Sequence, residues 1–153
     1  MSCDMALAGW IWLASFSDPG QIGAAPPIPP MAAAANPLAR EPLFAEIVRR
    51  AGSLEARVDA LRRAASPAPD VAELRAEGLA LADLDLKGHL DLARRGTDGD
   101  LKCILKGISQ DLPRRLNDLA QASPAQRPAA LDELFYLLRD NVEVITAPPK
   151  AAV

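Results

Sequence analysis

Large apolar residues return every three or four positions through two parts of this chain, the spacing of a helix that buries one face. The denser part runs from Asp98 to Ile145. Leu101, Ile104, Leu105, Ile108, Leu112, Leu116 and Leu119 form one set; Leu131, Leu134, Phe135, Leu138, Val142 and Ile145 form a second. They predict two amphipathic helices whose faces cover each other across a turn at Ser123-Pro124-Ala125-Gln126, which has the form of a capping box with proline at the first helical position. Because Pro128 follows so soon, the regular part of the second helix is expected from about Pro128 to about Asn141, with Val142 to Thr146 either finishing it or forming a short strand. Pro113 lies inside the first set. A proline there removes one backbone hydrogen bond and crowds the preceding turn, so a kink, or two shorter helices meeting at Leu112, is expected.

The second periodic part begins at Pro42. Phe44, Ile47, Ala51, Leu54, Val58, Leu61 and Ala65 alternate spacings of three and four, an apolar seam three heptads long. Proline is tolerated in a first turn and an acid there complements the helix dipole, so Glu41-Pro42 suits a helix start. The seam supports two readings: a short coiled coil that pairs the 44–65 helix with a second copy, or a bundle helix packing on its own domain. Gly52-Ser53 in its middle favours the bundle. Ser66-Pro67-Ala68-Pro69-Asp70 ends this helix, and Asp70 is a natural N-cap for the next. From Val71 to Arg95 the pattern is mixed. Val71, Leu74, Leu81 and Leu84 suit a helix, whereas Leu84-Asp85-Leu86 and Leu90-Asp91-Leu92 alternate as strands do, and Gly78 and Gly88 loosen both readings. Helix is the reading adopted, closed by the break at Gly96-Thr97-Asp98-Gly99.

Ahead of these elements, residues 1–39 carry no Lys or Arg until the domain begins near residue 40. Their apolar run from Met5 to Phe16 lacks the positive flank of a secretory signal and is shorter than the roughly 20 residues a membrane-spanning helix needs. The Ala- and Pro-rich stretch from Ala24 to Pro37 suits an extended or disordered segment. Met31 opens a Met-Ala-Ala-Ala-Ala run, so residues 1–30 also read as an upstream extension from a misassigned start codon. The expected organisation is a disordered or spurious extension over 1–39, a helical domain over 40–146 and a loose tail over 147–153.

Composition narrows the function classes. The net charge is −3, with 17 basic residues interleaved among 20 acidic ones and aromatics at only 4%. That balance gives neither a basic footprint for phosphate backbones nor a stacking platform, so no nucleic acid is expected as a partner; a helix-turn-helix reader built on the Gly96–Gly99 turn is disfavoured by the same acidity. Arginine outnumbers lysine and Ala and Pro abound, which suggests a GC-rich bacterial genome. Two cysteines, Cys3 and Cys103, sit in regions of different character; a disulfide between them is not expected, no Cys/His spacing suits a metal, and a reducing cytoplasm fits best.

Candidate chemistry is sparse. His89 is the only histidine, next to Leu90-Asp91, and with no Ser or Cys nucleophile identifiable near it a structural role is preferred to a general base. Asp98, Asp100 and Asp111 lack an EF-hand pattern, and no Walker or Rossmann glycine loop occurs, so no cofactor is expected. Cys103 is either a thiol activated by Lys102 and Lys106 or, as preferred, a small apolar filler. The run Cys103-Ile104-Leu105-Lys106-Gly107-Ile108-Ser109 resembles the His-x-Leu-Lys-Gly-x-Ser segment of histidine phosphotransfer domains, four-helix bundles that relay phosphate between kinases and response regulators. Lys106 and Gly107 match the positions that accompany the phosphorylated histidine in that family, but Cys103 stands where the acceptor should be. The resemblance therefore implies a pseudo-phosphotransfer module that docks on a receiver or kinase domain without carrying phosphate.

The sequence thus predicts an all-α protein, a small helical bundle of three to five helices between about Pro42 and Ile145. Its expected role is non-catalytic: a cytoplasmic helical module that binds another protein. The alternatives are the pseudo-phosphotransfer module and a small enzyme using His89. Candidate contacts are Phe44, Ile47, Leu54, Val58 and Leu61 on the first seam, Cys103 and Lys106 on the central helix, and the consecutive Phe135 and Tyr136, which point about 100° apart and cannot both face the core. No membrane partner is expected.

Overall fold

The computed structural model describes residues 36–64, 71–96 and 99–147. A short 3₁₀ turn, Pro37–Arg40, leads into four α-helices among these residues: α1 (Pro42–Arg63), α2 (Val71–Arg94), α3 (Asp100–Gln121) and α4 (Arg127–Thr146). There is no strand among the described residues, so the segment from Val71 and the residues Val142 to Thr146 are helical throughout. Each helix packs on its chain neighbours and α1 closes the ring with α4, an up-and-down four-helix bundle. Expectations that fall on residues 1–35, on the Asp70 cap and on the tail beyond Ala147 lie outside the described residues. Residues 36–39 do not belong to an extension: Asn36 caps the 3₁₀ turn through Leu38 N–H at 3.1 Å, and Leu38 and Ala39 pack on the core.

Every helix contributes a seam with heptad-like spacing. On α1 it is Phe44, Ile47, Ala51, Leu54 and Val58, all buried. On α3 it is Leu105, Ile108, Leu112, Leu116 and Leu119. Pro113 does not split α3 into two helices. A mid-helix proline costs about 3 kcal/mol, but Leu112 and Leu116, on either side of it, are fully buried, and burying two leucines returns more than that. Ser109, whose carbonyl loses its helical donor to the proline ring, turns its Oγ back to the Lys106 carbonyl at 2.8 Å.

The glycines of α2 mark close packing. A Cβ on Gly78 would lie 2.5 Å from Leu116 Cδ1, and one on Gly88 would meet Leu105, Ile47 and Phe44 side chains at 3.1 to 3.3 Å. The residues that blur the helical pattern in the sequence are therefore those that let α2 sit tightly against α3 and, at Gly88, against α1. Just past the end of α2, Gly96 takes a φ of +65° that suits glycine, and its N–H closes the turn onto the Ala93 carbonyl at 3.2 Å. At the α3–α4 corner, Gln126 Oε1 accepts from Ser123 N–H at 3.2 Å and from its Oγ at 2.8 Å, half of the expected capping box, and α4 starts directly after it.

Ion pairs fix the order of the helices at the surface. Arg57 of α1 reaches Glu77 at 2.6 Å and Glu73 at 3.2 Å on α2; Arg62 reaches Asp132 of α4 at 2.6 Å. Arg95 grips Glu41 at 2.6 Å, joining the end of α2 to the start of α1 and holding the Glu41 carboxyl below its usual range. Such solvent-screened pairs contribute little each. They orient the bundle more than they stabilise it.

Candidate functional site

The first predicted contact surface is consumed by the fold. Phe44, Ile47, Leu54 and Val58 are at most 3% exposed, and Leu61 packs half-buried against the same core. Pairing the 44–65 seam with a second copy would require pulling these side chains off α2 and α4, so α1 is a bundle helix and the coiled-coil dimer through this seam is not what the fold presents. Phe135 and Tyr136 diverge as expected. Phe135 is half-buried under the Arg62 guanidinium, 4.2 Å from its ring centre, and Tyr136 remains 55% exposed. Beside them lies an open cleft of about 390 Å³ lined by Arg62, Arg63, Arg127, Asp59 and Asp132. Its acids are already tied to arginines.

The unexpected surface is the outer side of α2. Leu79, Leu86 and Leu90, seven and four residues apart and so on one stripe, are 40%, 42% and 50% exposed. Beside this stripe runs the seam with α3, where His89 Nδ1–H donates to the Lys102 carbonyl at 2.6 Å. His89 is a tie between helices. On the α3 side of that seam follow Cys103, half-buried, and Lys106, exposed, within one turn of Lys102. A Cβ on Gly107 would meet nothing within 4 Å. Cys103 is disulfide-bonded, against expectation. The chain's other cysteine, Cys3, lies outside the described residues. A Cys103 held in a disulfide is neither the activated thiol nor the apolar filler that the sequence offered.

Inside the bundle the same helix does the opposite of what its leucines suggest. The buried face of α2 carries Leu74, Gly78, Leu81, Asp85, Gly88 and Leu92, in steps of four and three. Asp85 occupies a core position at 0% exposure, and across the bundle Asn141 occupies the matching position on α4, also at 0%. Asn141 Nδ2 donates to Asp85 Oδ2 at 2.9 Å, joining two helices that are not ring neighbours. Asp85 Oδ1 and Asn141 Oδ1 are buried with no hydrogen-bond partner. Burial pushes the Asp85 carboxyl up to about 7, the Asn141 amide countering it only in part. By contrast Glu46, half-buried at the surface, is held down at about 2 by the guanidinium groups of Arg49 and then Arg50.

None of Leu79, Leu86, Leu90, Asp85 and Asn141 stands out as a site residue in the sequence. The one signal was the alternation Leu84-Asp85-Leu86, which is what a helix shows when an acid takes a core position and the leucine after it turns outward. Among the described residues no group of three or more His, Cys, Asp or Glu side chains is arranged to hold a metal ion, and no helix is long and apolar enough to cross a membrane. No family model, no curated protein and no solved structure matches the chain.

Proposed function

We propose that this protein is a non-catalytic helical module that binds another protein through the outer side of α2 where it meets α3. The observation that carries the reading is the stripe of Leu79, Leu86 and Leu90, left exposed by a helix whose core-facing positions include two glycines and an acid among its buried leucines. Leucines at this spacing match the anchors used when one amphipathic helix lies against another. A second reading, a pseudo-phosphotransfer module docking on a receiver or kinase domain, draws support from the four-helix up-and-down architecture and from the position of Cys103, Lys106 and Gly107 beside the same stripe. The two differ in the partner.

The full-length chain and its Leu86→Glu/Leu90→Glu variant, used as paired baits, test the site. A protein retained by the first and lost with the second, then reproduced from purified components by calorimetry, supports the surface; equal retention by both baits places binding elsewhere. Receiver domains among the retained proteins favour the second reading, and their absence there removes it.

A further inference from the structure

We propose that Asp85 is a neutral acid in the folded bundle and closes a two-bond pair with Asn141, so that a single proton fastens α2 to α4 across the core. Two atoms at this contact are orphaned. Asn141 Nδ2 already donates to Asp85 Oδ2, and what remains at this contact is one oxygen on each partner, Asp85 Oδ1 and Asn141 Oδ1, both acceptors and both buried. Two acceptors buried without a donor are each costly. A proton on Asp85 Oδ1 turns one acceptor into a donor aimed at the other, and both are satisfied at once in the cyclic arrangement that carboxylic acids and primary amides form. Interchanging the amide nitrogen and oxygen leads to the same place: an amide oxygen 2.9 Å from a carboxyl oxygen also requires a proton between them.

The surroundings give the charged form nothing else. The buried residues of α1 and α3 are all apolar, and what acts on the Asp85 carboxyl is its burial and the Asn141 amide, with no charged group of α1, α3 or α4 among the causes. On its own helix Asp83 is exposed, and Asp91 is engaged by Arg94 and Arg95. Ionising Asp85 would therefore place an anion with one hydrogen-bond donor in an apolar interior, opposite an amide oxygen. The fastener holds while the proton stays and loosens when it leaves, which makes the bundle's stability fall as the pH rises from the ordinary aspartate range towards neutrality, the reverse of the usual behaviour of a protein's carboxylates.

Carbon-detected NMR on the full-length protein, labelled at aspartate carboxyls and titrated from about pH 3 to about pH 9, reads the proton directly, with Asp85→Asn assigning the signal. The expected result is one carboxyl, absent from the variant, that keeps its proton about two units or more beyond the ordinary aspartate range. In parallel, the urea midpoint of the wild type is expected to fall as the pH rises from about 4 to about 7, while Asp85→Asn, which can form the same two bonds with no titrating group, loses that slope. An Asp85 carboxyl that titrates with ordinary aspartates overturns the proposal and assigns the missing donor to a buried water. Equal pH slopes in wild type and variant overturn it as well. Should the variant fail to fold, the wild-type titration alone decides, with Asp85 assigned through its backbone.

Discussion

Helices α1 and α2 bury the same kind of seam and fill it with different chemistry. On α1 the core positions are Phe44, Ile47, Ala51, Leu54 and Val58, and the charged residues lie outside. On α2 the core positions include Gly78, Asp85 and Gly88, and three leucines lie outside. The spacing in both cases follows from helix geometry, so periodicity decides that a face is buried, while the side chains on it decide what the burial achieves. On α1 it is stability by apolar transfer. On α2 it is close approach, one buried hydrogen bond and a free apolar surface, an arrangement less favourable for an isolated domain and useful to one that binds.

The comparison is tested most severely at the centre of the α1 seam. Phe44→Ala leaves a large void among side chains with 0% exposure and is expected to cost roughly 3–5 kcal/mol in urea denaturation; a loss below about 1 kcal/mol would mean that α1 is not the anchor it is taken to be. The next effect belongs to α2. Asp85 sits at about 7 in the folded chain against 3.8 unfolded, so the folded state keeps a proton that the unfolded chain releases between those values. The stability it contributes is fully present below about pH 4, declines as the pH climbs to about 7 and is gone above, an upper bound of roughly 4 kcal/mol at about 1.4 kcal/mol per unit. Denaturation at several pH values, with Asp85→Asn as reference, separates this from the titration of exposed groups.

Two smaller changes sharpen the contrast. Gly88→Val adds atoms where a Cβ already stands 3.1 Å from Leu105 and 3.2 Å from Ile47, and is expected to destabilise by roughly 1–3 kcal/mol, readable as a lower urea midpoint. A neutral or stabilising result would show that the α2–α3 approach has slack. Pro113→Ala works in the other direction. It restores an N–H for the Ser109 carbonyl in a helix that is continuous already, and a gain of about 1 kcal/mol or more in the same assay is expected.

The parts of this fold legible in the sequence are those where hydrophobicity and burial agree. Phe44 to Val58, Leu105 to Leu119 and Leu131 to Leu138 announce their helices, and the all-α bundle follows from them. Pro113 misleads because its penalty is local, while the packing of Leu112 and Leu116 that offsets it is tertiary. Helix α2 misleads for a related reason: Gly78 and Gly88 weaken a helix considered alone and are required once Leu116 and Leu105 lie against them. The candidate surface was hidden by the same inversion. A rule that sends large apolar residues inward nominates Ile47 and Leu54 for contact only if α1 is left over, and passes over Leu86 and Leu90 because nothing in one sequence reveals that their helix turns Asp85 inward instead.

The outward turn of the α2 leucines is the claim on which the proposed binding surface and the proposed core proton both depend. Urea denaturation of Leu90→Glu beside Leu81→Glu tests it most directly, since the two positions belong to one helix and differ from half-exposed to fully buried. The account predicts that Leu90→Glu unfolds within about 0.5 kcal/mol of the wild type, whereas Leu81→Glu, with a carboxylate forced into the core, loses several kcal/mol or fails to fold. A Leu90→Glu protein as damaged as Leu81→Glu would put Leu90 inside the bundle and contradict the account.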